Sequence, residues 1–274
     1  MITELNKNDF YKCKSLVNEN GQMEVKAVIE SMNPGRIFVD NPLSPKTGLI
    51  WLGNNDGFLF FGNEENDNFN KEINAFIDTV IIPEAKEVNI FWFEAMGNHP
   101  KWNQTIKNLF AHRQLKNWNQ KVYQLQKNNY NVKSEPTIDQ GYTVFKLEKV
   151  LFENNKIQNI EFLHSKILEF WSSIEQFLNN GIGYCVIYRN QIVSICFSGF
   201  VVENYHCVNI ETLSAHQGKK LAQAVAFHFV QECLKNKQIP YWDCMEENTA
   251  SNIVAKNTGF TNVFDYNGYY FSFK

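Results

Sequence analysis

Six residues, Gln217-Gly218-Lys219-Lys220-Leu221-Ala222, stand between a run with strand character and a run with helical spacing. A chain that turns from strand into helix aims unpaired N–H groups and the positive end of the helix dipole at one point. With Gly218 to let the backbone turn and two lysines beside it, that point suits a pyrophosphate, although the same residues also make a plain glycine turn ahead of a solvated basic helix. Two carboxylates offer complementary chemistry. Glu211 and Asp243 fall in neighbouring expected strands with apolar flanks, and burial makes a carboxylate a stronger proton acceptor. Either can instead pair with a lysine or cap a turn. His206 or a chain of waters is the other route for a proton, while His216 reads as a surface or capping histidine. Cysteines at 13, 185, 196, 207, 233 and 244 show no C-x-x-C spacing, so neither a metal site nor a redox pair is expected. They read as buried, reduced thiols of a cytosolic protein.

The elements that must position these groups are clearest in the second half. Residues 141–147 alternate as a strand, and Ile160, Leu163, Ile167, Phe170, Trp171, Ile174, Phe177 and Leu178 space out one long helix ended by Asn179-Asn180-Gly181. Strands at 183–188 and 192–202 flank the turn Arg189-Asn190-Gln191, and a third runs over 206–213. A helix from Leu221 to Leu234, a strand at 239–244, a helix at 249–257 and an aromatic strand at 264–273 complete the order. The fold class expected is α/β (α+β), a mixed, mostly antiparallel sheet flanked by helices. In the first half, helical spacing covers 7–18 and 23–31, strands 36–39, 48–52 and 57–62, a helix to about Val80, a strand 88–93 and a helix after Asn98-His99-Pro100. Trp92-Phe93-Glu94 and Trp102 read as core packing ahead of a pocket wall. The polar stretch 114–140 predicts a junction between domains 1–135 and 136–274.

Asn248, Ser251, Val254, Ala255 and Gly259-Phe260 follow the loop in the order and spacing of a second motif. Together the two resemble the GNAT N-acetyltransferases, whose acetyl-CoA loop reads Arg or Gln, two residues, Gly, one residue, then Gly or Ala. Gln217 matches the first position and Ala222 the last; Asn248 and Gly259-Phe260 match the later motif. The resemblance spans residues 141–274. Ile210-Glu211-Thr212, Trp242-Asp243-Cys244 and the aromatic end are similar to the subgroup containing the zwittermicin A resistance acetyltransferases. It implies a GNAT-like C-terminal domain beside a second mixed N-terminal domain, compatible with a diverged copy. It also implies direct transfer from acetyl-CoA to a small-molecule amine, an antibiotic-like one included. By the same resemblance the pantetheine arm lies along Thr212, Leu213 and Ser214, and the pyrophosphate meets Gln217, Gly218, Lys219, Lys220, Leu221 and Ala222. Asn248 would hold the pantetheine amides with Ser251 nearby, and Glu211 or Asp243 would take the amine proton. Two departures stand out. Lys220 occupies the place of a second glycine, and Ala255 that of a tyrosine that protonates the leaving thiolate, so the latter role is not carried over.

Composition narrows the rest. The 274 residues are 44% apolar, and 26 basic against 29 acidic side chains leave a formal charge of −3. That balance argues against nucleic acid or an anionic membrane as partner. The first dozen residues hold no apolar signal core, and the most apolar stretch, 192–202, is half the ~20 residues of a membrane helix. A cytoplasmic enzyme is expected. A non-catalytic acyl-CoA-binding or regulatory module is the alternative, and an aminoacyl transferase using charged tRNA a third reading.

Overall fold

The computed structural model describes residues 1–55, 57–125 and 134–273. Residue contacts divide the chain into two compact units, Met1–Gln120 with Tyr266–Lys274, and Lys121–Asp265. Residues 126–133 of the expected junction lie outside the described part.

In the first unit the strands β1 (Thr3–Glu4), β2 (Gly35–Val39), β3 (Thr47–Leu52), β4 (Phe58–Gly62) and β5 (Trp92–Gly97) lie side by side in that order. All neighbours are antiparallel except β4 and β5, which run parallel. The helices are α1 (Met23–Ile29), α2 (Asp67–Phe76), α3 (Ile82–Glu87) and α4 (Trp102–Leu109). Phe58, Phe60, Phe93, Trp102, Phe110 and Phe271 form an aromatic core that accounts for Phe93 and Trp102 as packing residues. The strand expected at 88–93 sits further on. A π-helical turn, Ile77–Ile81, carries α2 into α3, and Asn89 then adopts a left-handed conformation, φ 61°, so the chain becomes extended only at Trp92.

The second unit contains β7 (Tyr142–Lys146), β8 (Gly183–Tyr188), β9 (Gln191–Val202), β10 (Tyr205–Thr212) and β11 (Ile239–Met245), preceded by β6 (Lys116–Gln124), whose later part belongs here. Their order is β6-β11-β10-β9-β8-β7. Only Val122 and Tyr123 of β6 are buried, and this polar strand was not legible in the sequence. The helices are α5 (Lys149–Phe152), α6 (Ile160–Phe170), α7 (Ile174–Asn180), α8 (Leu221–Lys235) and α9 (Thr249–Asn257). The single helix expected over 160–178 is two. Trp171 turns extended to donate its indole N–H to the Ser198 carbonyl at 2.8 Å, and Ser173 caps the new helix by accepting from Gln176 N. The last strand, β12 (Thr261–Ser272), starts in the second unit and ends in the first, where Phe271 pairs with Phe93 of β5. The sheet is mixed and mostly antiparallel with helices around it, as the element order implies. All six cysteines are buried with free thiols. Among the described residues no helix is long and apolar enough to cross a membrane.

Candidate functional site

Two neighbouring strands of the second unit part company. β10 pairs with β9 along its whole length to Thr212, but among the described residues it pairs in parallel with β11 only over Tyr205–Cys207. A bulge at Gly199 of β9 lies where this separation begins, since Cys207 faces Phe200 and Val208 faces Ser198. Beyond that point one edge of β10 has no strand partner among the described residues. Ile210, Trp242 and Cys244 pack into the core beneath α8, so strand alternation sends Glu211 and Asp243 to the other face of the sheet. Glu211 is 40% exposed and meets Lys166 of α6 at 3.1 Å, with Glu169 3.2 Å from the same ammonium.

The loop after β10 is drawn in before it turns. Leu213 N–H donates to the Val193 carbonyl at 2.9 Å, and the Gln217 side-chain amide donates to the Thr212 carbonyl at 3.1 Å. Gly218 then takes φ 76°, and a Cβ built there would meet nothing within 4 Å. Lys220, the residue ahead of α8, also stands in the left-handed region with φ 62° and ψ 13°. No side chain caps α8, so its first-turn N–H groups are offered to whatever lies in front of them. A cleft of about 460 Å³ opens at this helix end, with Glu211, Thr212, Gln217, Gly218, Lys220 and Ala222 on one wall.

The other wall is the start of α9. Asn248 caps that helix by accepting from Ser251 N at 3.1 Å, which occupies its side-chain oxygen and leaves the amide nitrogen to the cleft. Ser251 accepts from the Trp242 indole N–H at 3.0 Å. The cap thus leaves Asn248 on the wall of the cleft.

Nine of the expected site residues therefore converge: Glu211, Thr212, Gln217, Gly218, Lys220, Leu221, Ala222, Asn248 and Ser251 all line the cleft. Leu213, Ser214, Lys219 and Asp243 do not line it, and the Leu213 N–H is already committed. His216 lines the cleft with its Nδ1 2.9 Å from the Tyr142 hydroxyl, beside the stacked rings of Tyr142 and Tyr188. Burial lowers the pKa of His206 to about 4, and it sits against Ser198 as a neutral packing group. Burial also pushes the Cys244 thiol up, away from the thiolate a covalent route needs. Ala255 is fully buried in the core beneath α8. Sequence reading missed Lys166, whose contact with Glu211 spans 45 positions of chain and leaves no local signal, and Ile253 of the α9 wall, which looks like an ordinary helix residue.

The first unit has a strand-to-helix turn of its own, between β4 and α2, and it is built differently. Asn66 caps α2 by accepting from Phe69 N, and Glu64, Glu65 and Asp67 surround the turn. A Cβ at Gly62 would lie 2.2 Å from the Lys46 carbonyl oxygen. His99 and Lys101 approach Glu64 at 3.7 and 3.6 Å. This turn is acidic where the second unit's carries two lysines.

A sequence model described as GNAT acetyltransferase matches residues 14–269. The chain is 24% identical over 272 residues to an uncharacterized N-acetyltransferase, YdfB, of Bacillus subtilis strain 168, covering 98% of each. Among solved structures it is similar to a GCN5-related N-acetyltransferase-like protein from Streptococcus suis 89/1591, with TM-score 0.67, 18% identity and coverage of 96% of this chain and 98% of that one. It is also similar to a tandem GNAT protein from the clavulanic acid biosynthesis pathway, with TM-score 0.62, 10% identity and coverage of 99% and 98%.

Proposed function

The chain belongs to the GNAT acetyltransferase family, and from that premise we propose that it is an N-acetyltransferase that carries acetyl-CoA in the cleft of its second unit and acetylates a small-molecule amine by direct transfer. The observation that carries this reading is the uncapped start of α8, facing the open turn at Gly218 beside the end of β10. The residues fit the cofactor: a diphosphate accepts hydrogen bonds from the free N–H groups of Leu221, Ala222 and Gln223, with Lys220 adding positive charge. Asn248 offers amide donors to pantetheine carbonyls, and the unpaired edge of β10 offers strand-like main-chain bonds. When bound, acetyl-CoA supplies an acetyl group activated as a thioester.

This chain's contribution is to hold, orient and move one proton. Glu211 receives the proton of the acceptor amine, and Lys166 fixes the carboxylate in place. Asp243, on the same face, is the substitute if Glu211 fails. Ala255 provides no acid, and the thiolate of CoA, a fair leaving group with a reference pKa near ~8.5, takes its proton from water or from the amine. The sequence resemblance to the zwittermicin A resistance subgroup makes aminopolyol antibiotics the first acceptors to screen.

Calorimetry with acetyl-CoA, followed by thiol release across an amine panel, tests the proposal. Binding together with amine-dependent thiol release is expected; absence of binding by acetyl-CoA and by CoA at millimolar concentration would overturn it.

A further inference from the structure

The turn that carries Asn248 is not held by its own helix alone. Tyr123 of β6, 1% exposed, donates its hydroxyl to the Asn252 side-chain oxygen at 2.5 Å. The amide nitrogen of Asn252, itself 7% exposed, lies 2.9 Å from the Met245 carbonyl, 3.2 Å from that of Glu246 and 2.7 Å from that of Asn248. Burial raises the phenol's pKa, so it remains a donor. Two residues along the same strand face, Lys121 meets the Glu246 carboxylate at 2.9 Å. Neither Tyr123 nor Asn252 lines the cleft. The amide nitrogen of Asn252 is therefore spent on the carbonyls of the segment from which Asn248 projects, and its oxygen on the Tyr123 hydroxyl, so that Tyr123 fixes Asn252.

We propose that Tyr123 and Asn252 are positioning residues for acetyl-CoA, a buried relay from β6 that sets the orientation of Asn248 without touching the ligand. The argument is geometric. An asparagine at the fourth position of a helix of this length has no need of a buried partner from another strand, because Asn248 already caps α9. A side chain that gathers three carbonyls of one turn instead removes that turn's freedom to move, and a contact group misplaced by an ångström loses its hydrogen bond. Tyr123→Phe deletes one oxygen atom and leaves the Asn252 acceptor buried and unpaired, so the amide is freed to rotate out of its three-carbonyl arrangement.

The inference rests on the acetyl-CoA reading above, so calorimetry on the unaltered protein comes first; if acetyl-CoA does not bind there, it is that reading which fails. With binding established, Tyr123→Phe and Asn252→Ala are each expected to raise the KM and Kd for acetyl-CoA roughly tenfold while keeping at least half of kcat at saturation. Tyr184→Phe is the control, since it removes a hydroxyl that meets Glu232 on α8 at 3.1 Å, away from this turn. It is expected to lower the melting temperature to a similar degree with KM unchanged. Should Asn252→Ala not fold, Tyr123→Phe alone decides. A Tyr123→Phe protein whose KM for acetyl-CoA stays within twofold of the original, or whose KM shift is matched by Tyr184→Phe, would overturn the proposal and leave Tyr123 a packing residue.

Discussion

Replacing Lys220 by glycine is expected to move stability and cofactor affinity in opposite directions. Lys220 holds φ 62° and ψ 13° immediately before α8. That conformation costs a residue with a Cβ about 1–2 kcal/mol, because Cβ crowds the following carbonyl. Glycine escapes the clash but gives back about 0.5–1 kcal/mol through the greater freedom of its unfolded chain. The net gain for Lys220→Gly is therefore about 0.5–1 kcal/mol, or a rise of roughly 1–4 °C in melting temperature for a chain of this size. Lys220→Ala keeps the clash and should bring no such gain. Both variants lose the ammonium at the cleft, and an exposed charge beside a diphosphate contributes up to about 1 kcal/mol, so both should bind acetyl-CoA up to about fivefold more weakly at low salt. Raising the salt should narrow that difference. Differential scanning calorimetry on the free proteins and titration calorimetry at two salt concentrations read the two effects separately. If alanine stabilises as much as glycine, the left-handed strain at Lys220 is not the cause, and if affinity is untouched at low salt the ammonium does not face the diphosphate.

The Gly218→Val variant should fold, destabilised by about 1–2 kcal/mol through its positive φ alone, since open space surrounds the new side chain, while its acetyl-CoA affinity falls at least tenfold by calorimetry. Glu211→Gln should lower kcat more than tenfold with the KM for acetyl-CoA nearly unchanged; a loss under threefold passes the role to Asp243. Stability should depend on His206: its pKa is about 4 when folded against 6.5 when exposed, so the unfolded chain binds the extra proton and stability is lost as pH falls between those values. From pH 7 to pH 5 the loss is about 2 kcal/mol, and urea titrations of His206→Gln at the two pH values should show that much less pH dependence. Finally, titration should find one acetyl-CoA per chain, because the first unit's turn is capped by Asn66 and ringed by Glu64, Glu65 and Asp67; two equivalent sites would refute the reading of that turn.

What the sequence made legible follows from what is local. Asn248, Gly218 and the strand-turn-helix order are fixed by near neighbours in the chain, and α9 lies where its cap and apolar spacing put it, Thr249–Asn257. The bulk of the cleft follows from the same punctuation. Where distant contacts decide, reading along the chain fails. The break between α6 and α7 depends on Trp171 reaching Ser198, and a continuous apolar stripe across 160–178 hides it. Strand β6 is polar in composition and exists through its neighbours, so its composition reads as a junction. Lys166 and Tyr123 escape notice for the same reason, since each matters only through a partner 45 or 129 positions away.

The path of β12 has a consequence for the order in which the protein is made. Residues Lys121–Asp265 form one compact unit, yet the part of β12 that pairs with β5 in the other unit, Gly268–Ser272, comes after them. A ribosome adding about 5–20 residues per second needs roughly 7–30 s to cross that interval. Throughout it, β5 of the nascent chain presents an unpaired edge, and Phe93 lacks the Phe271 ring that stacks on it at 5.3 Å in the finished molecule. An open edge flanked by apolar side chains is a template for other strands. The first unit is thus begun first and finished last, and its exposed interval is set by the length of the unit inserted into it.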